Sequence, residues 1–175
     1  MIQPIVVYGD PILRKSAEPY TVGTDLKPII QDLWDTMYNA KGAGLAAPQI
    51  GLPTKLFVVH LPNIAFKRTF INPVITSESG EEFTILEGCL SIPGAEGPVK
   101  RKSKIVIEYY DEAWTLNREE FEGLEARVIQ HEYDHLLGKL WVDQMEWISA
   151  RERLIIMTSL QHCQTKSIKA DYPIA

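Results

Sequence analysis

In the stretch Gln130-His131-Glu132-Tyr133-Asp134-His135-Leu136, two histidines stand four residues apart and a glutamate follows the first of them directly. Each residue of an α-helix advances about 100°, so His131 and His135 would lie about 40° apart and one turn along, where both imidazoles reach one ion. Glu132 falls about 60° from His135, beside such an ion, where it can move a proton without being a ligand. The H-E-x-x-H pattern is that of metal-dependent hydrolases, with two ligands and a general base. The third ligand must come from elsewhere in the chain.

His60 reads as a strand side chain with a satisfied hydrogen bond, since nothing near it offers a second donor. Cys89 has the better surroundings. It follows Gly88 at the end of an apolar run, in a loop flanked by glycine and proline, and metal coordination deprotonates a thiol outright. A small buried cysteine is the other reading of the same residue, and it is the preferred reading for Cys163. Further upstream, Gly42-Ala43-Gly44-Leu45-Ala46-Ala47-Pro48-Gln49 is built of small residues that let a backbone approach another object closely, or that simply make a tight loop and cap. Gln49 is its polar side chain. If buried, its amide needs a partner, and a substrate oxygen is one candidate.

These residues need a scaffold. A chain of 175 residues suffices for one domain with a sizeable core, spanning residues 1–175 with residues 164–175 as a loose or edge-strand tail. A hydrophobic fraction of 45% with 23% charged residues is ordinary for a globular protein, and a net charge of -5 argues against nucleic-acid binding. No run is long and apolar enough for a membrane span, and the opening Met1-Ile2-Gln3-Pro4-Ile5 lacks a signal-peptide layout, so a reducing cytoplasm is expected. Apolar spacing at Leu26, Ile29, Ile30, Leu33 and Met37 predicts a helix from a cap at Thr24 or Asp25 up to Gly42, with Pro28 harmless in its first turn. Residues 56–61, 69–75 and 82–86 read as strands, and 105–110 with 114–117 as a hairpin whose turn lacks glycine. The helix of the H-E-x-x-H motif should start after Gly123 and stop at Gly138, with Leu124, Val128, His131 and His135 on one buried stripe. A last amphipathic helix spans residues 146–163, with Ile148, Leu154, Ile155 and Leu160 among its apolar members and Arg151, Glu152 and Arg153 on its wet side.

Taken in order, Gly42-Ala43-Gly44-Leu45-Ala46-Ala47-Pro48-Gln49, Glu87-Gly88-Cys89-Leu90-Ser91 and Gln130-His131-Glu132-Tyr133-Asp134-His135 resemble the three motifs of the peptide deformylases, with Gly9-Asp10-Pro11-Ile12-Leu13-Arg14 and Arg127-Val128-Ile129 also fitting. The resemblance implies an α+β fold, with antiparallel β-sheets packed around the helix that carries the motif, an N-terminal helix and a C-terminal helix. It implies a metal held by Cys89, His131 and His135, natively Fe²⁺, with Zn²⁺, Ni²⁺ or Co²⁺ able to occupy the site. It implies that Glu132 is the acid and base, and that the Gln49 amide and Leu90 N–H stabilise the oxygen of a tetrahedral intermediate. Gly44 and Ala43 would line the substrate, Ile85, Leu124 and Val128 would form or adjoin a methionine pocket, and Glu87 and Arg101 would brace the cysteine loop. The substrate is then the N-formyl-methionyl end of a nascent polypeptide, and a monomer with no nucleic-acid or membrane partner is expected. Ala43 stands where the family commonly has a larger aliphatic residue, and Glu125 where it usually has an apolar one. A metallopeptidase with a His or Glu third ligand, and a catalytically silent metal-binding protein, are the alternatives. Cys89 with Gln49 speaks against the first, and Glu132 against the second.

Overall fold

The computed structural model describes residues 1–144, 151, 154–156, 158 and 160–161. Its frame is α1 (Lys27–Asn39), β1 (Gly44–Ala46), β2 (Leu56–Leu61), β3 (Phe66–Cys89), β4 (Ile92–Tyr110), β5 (Leu116–Glu122) and α2 (Gly123–Leu136). The five strands form one antiparallel sheet in the order β1-β2-β3-β4-β5, so the expected α+β class holds, with one sheet among the described residues where several were expected.

β2 shows how the sheet is covered. Its run Leu56-Phe57-Val58-Val59 is buried throughout, and alternate residues leave opposite faces of a strand. Leu56 and Val58 join Ile30, Leu33 and Met37 of α1, while Phe57 and Val59 join Ala126 and Ile129 of α2. One helix therefore lies on each face, and an apolar run without alternation is what such a strand requires. A third cluster, Ile92, Val99, Leu140, Trp141, Ile156 and Leu160, backs the turn between β3 and β4.

α1 starts at Lys27, later than the expected cap, with the Asp25 carboxylate accepting the Lys27 N–H at 3.2 Å. Two expected strands, 69–75 and 82–86, are parts of β3, which runs through register shifts at Ile71/Val74, Ile75/Ser77 and Ser79/Glu82. Residues 76–82 are exposed and pair with β4 alone, so no core imposes an apolar alternation there. In the β4–β5 turn Trp114 adopts φ 59, the conformation usually left to glycine, and the Asp111 carboxylate accepts the N–H groups of Ala113 and Thr115 at 2.9 and 2.8 Å. Of the last helix, Leu160 is buried and Arg151 exposed as expected, and Ile156 is buried as well, whereas Leu154 and Ile155 are 67% and 57% exposed and so do not belong to its inner face. Ile148, Glu152, Arg153, His162, Cys163 and residues 164–175 lie outside the described residues. Among the described residues no helix is long and apolar enough to cross a membrane.

Candidate metal centre

α2 ends in the motif, with Glu132 and His135 at 4% and 1% exposure. The β3–β4 turn brings Cys89 to it from 46 residues away in sequence, with Sγ 3.3 Å from His135 Nε2. One donor atom each from Cys89, His131 and His135 lies within 4.8 Å of the others. The expected buried stripe is corrected here: Leu124 is 52% exposed, and Leu124, Val128 and His131 line a cleft of about 1030 Å³, so this side of α2 faces the cleft while Ala126 and Ile129 face the core.

Glu87 holds His131 from behind. Its Oε2 lies 2.9 Å from His131 Nδ1, which assigns the proton to Nδ1 and leaves Nε2 as the donor atom. Arg101 donates to the same carboxylate at 2.6 and 2.9 Å, Arg127 at 2.9 Å, and Arg101 also reaches Asp134 at 2.7 Å. Burial acts to raise the pKa of Glu87, but the bonds from Arg101 and His131 outweigh it and hold the carboxyl well below the usual range. His131 sits above its ordinary pKa, since its bonds to Cys89 and Glu87 outweigh burial; a metal ion at Nε2 competes for that proton's place. Burial, then the charge of His131, pushes His135 well below the ordinary value, which keeps it a neutral imidazole as a ligand must be.

Glu132 is pushed up to about 7 by burial, the value that suits a proton carrier at neutral pH, and its Oε2 has no hydrogen-bond partner among the described residues. Gly44 of β1 packs against it so closely that a Cβ there would lie 2.7 Å from Glu132 Cδ. Gln49, 1% exposed, accepts the Ala46 N–H at Oε1 (2.8 Å) and donates from Nε2 to Ser91 Oγ (3.2 Å) and toward Cys89 Sγ (3.4 Å). Its amide is thus oriented with both hydrogens toward the thiol side. Leu90, Ala43 and Ile85 line the cleft. Sequence reasoning named the stretches that hold Arg127, Asp134 and Ser91 but gave these side chains no role in this constellation. Arg127 lies four residues before His131 and Asp134 lies inside the motif, which is the signal that was available.

Residues 2–151 match the family model of polypeptide deformylase. This chain belongs to that family. It is 42% identical to the peptide deformylase of Christiangramia forsetii over 98% of this chain and 94% of the relative, and 47% identical to that of Flavobacterium johnsoniae over 89% and 86%. The crystal structure of a peptide deformylase from Synechococcus elongatus in complex with actinonin superposes with a TM-score of 0.83 at 36% identity, covering 98% of this chain and 91% of that one. The donor set of this deformylase chain fits a divalent ion: one thiol, two imidazoles, of which His131 turns its Nδ1 to Glu87, and a buried carboxylate oxygen without a hydrogen-bond partner among the described residues.

Proposed function

We propose that the chain hydrolyses the formyl group from N-formyl-methionyl ends of nascent polypeptides, releasing formate, with Fe²⁺ as its native ion in the bacterial cytoplasm. The observation that carries this reading is the convergence of Cys89, His131 and His135 within 4.8 Å next to a buried Glu132. Held by those three residues, the ion supplies a Lewis acid that lowers the cost of deprotonating water and polarises the formyl carbonyl. Glu132 takes a proton from the attacking water and returns it to the departing amine nitrogen, so that formate and a free amino terminus leave. The Gln49 amide and the Leu90 N–H donate to the carbonyl oxygen as it gains charge, and each such donor contributes about 3 kcal/mol to the barrier reduction. Ile85, Leu124 and Val128 give the methionine side chain an apolar wall, and Gly44 with Ala43 lines the peptide.

The decisive measurement is formate release from a formyl-methionyl peptide by protein prepared without oxygen, with metal analysis of the same sample. Glu132→Ala should keep its metal and lose about 10³-fold in turnover. Full formate release by that variant would refute the mechanism, and a metal other than iron in active protein would refute the choice of ion.

A further inference from the structure

The turn Gly9-Asp10-Pro11-Ile12-Leu13-Arg14 and the arm before it take no part in the chemistry above, yet the arm bonds two of the three stretches that carry it, and Ala17, just past the turn, bonds the third. Val6 N–H donates to the Gln49 carbonyl and Tyr8 N–H to the Ser91 carbonyl, both at 2.7 Å. The two donors stand two residues apart on the arm and reach two different segments of the site. Ile5 and Val7 beside them are buried, 3% and 4% exposed, and Tyr8 packs on the cluster that also receives Cys89. Further along, Arg14 pairs with both carboxylate oxygens of Asp143, and Ala17 N–H reaches the carbonyl of Leu136, the last residue of α2, at 2.8 Å.

The Gln49 amide has two hydrogens, and at rest they point to Ser91 Oγ and Cys89 Sγ. Donation to a substrate oxygen must take one of them away, which weakens the side-chain link between the Gln49 loop and the Cys89-Leu90-Ser91 turn. The two main-chain bonds to the arm are not disturbed by that change. We infer that the N-terminal arm, through the backbone N–H groups of Val6 and Tyr8, is a positioning element that sets the separation of the Gln49 amide and the Leu90 N–H during turnover. This rests on the proposal that those two groups are the oxygen's donors.

The test compares Val6→Pro, which removes the N–H, with Val6→Ala, which keeps it. In metal-loaded protein, Val6→Ala should stay within about twofold of the parent. Val6→Pro should lose about 10- to 100-fold in kcat, with KM and metal content unchanged, as expected for a misplacement of donors. In a Gln49→Ala background Val6→Pro should cost nothing further, because the group it positions is gone. Equal losses in both backgrounds, equal losses for Val6→Ala and Val6→Pro, or a rise in KM at constant kcat would overturn the inference. A Gln49→Ala variant with undiminished kcat would instead overturn the donor assignment, a separate failure. If Val6→Pro does not fold, amide exchange in the unsubstituted holoenzyme decides: a peptide hydroxamate with a methionine-like side chain should slow exchange at Val6 and Tyr8 about tenfold, and unchanged exchange at both overturns the coupling.

Discussion

Glu87 Oε2 and His131 Nδ1 lie 2.9 Å apart, and the same carboxylate takes hydrogen bonds from two buried guanidinium groups, Arg101 and Arg127. One side chain therefore orients a proposed metal ligand and pairs with two buried guanidinium groups, of which Arg101 also has Asp134 as a partner. Glu87→Ala should weaken metal binding about 10- to 100-fold, the usual effect of removing a partner behind a ligating histidine. It should also cost about 3 to 5 kcal/mol of stability, because Arg127 is left buried without the carboxylate it pairs with. Chelator competition and urea unfolding measure the two separately, and unchanged metal affinity would show that His131 needs no such support.

The motif on α2 was legible because helix geometry is local: a spacing of four fixes how His131 and His135 face one ion. The fold class and the chain's family could also be read in the sequence. The approach of Cys89 to His135 could not be derived from spacing, since it depends on how the β3–β4 turn docks on α2. Arg127 and Asp134 escaped for a related reason: a buried charge is interpretable only with its partner, and Glu87 is 40 residues from Arg127 in sequence. Leu124 was assigned to a buried stripe because an apolar residue in helical register looks the same whether it faces a core or a cleft. The break assumed between 69–75 and 82–86 came from polar residues on a two-stranded extension that has no core to face.

Gly44 is set by its neighbour. Its φ does not lie in the left-handed region, so a methyl would be tolerated by the backbone, but it would collide with the Glu132 carboxyl, 2.7 Å from Cδ and Cγ. Gly44→Ala should displace the proton carrier while leaving Cys89, His131 and His135 untouched. Turnover falls about 100-fold, as for a misplaced catalytic group, and metal content stays at the parent level. Loss of metal together with activity would mean that β1 supports the ligands as well as the base.

Metal removal gives a thermal signature. A ligand that binds only the native state adds about 2.7 kcal/mol at a hundredfold excess over its Kd, which for a domain of this size raises Tm by about 5 to 10 °C. Stripping the protein with a chelator should lower Tm by that amount, and returning Co²⁺ or Zn²⁺ should restore it. Cys89→Ala should abolish the metal-dependent shift, and a full shift in that variant would remove Cys89 from the site.

Gly138 closes α2 in the left-handed region, φ 69, and passes so near the N-terminal turn that a Cβ would stand 2.6 Å from the Arg14 carbonyl oxygen. Two penalties therefore coincide. An alanine there carries about 1 to 2 kcal/mol for the backbone conformation alone, and the clash is with main chain, which cannot swing aside as a flexible side chain would. Gly138→Ala should cost more than about 2 kcal/mol in urea unfolding, well beyond Gly51→Ala, where φ is 85 but nothing lies within 4 Å of the added carbon. Because Ala17 N–H is bonded to the Leu136 carbonyl, the same change should also speed amide exchange at Ala17. Equal losses for the two alanine variants would mean that the turn around Arg14 yields, and that its contact with the end of α2 contributes little to holding the site together.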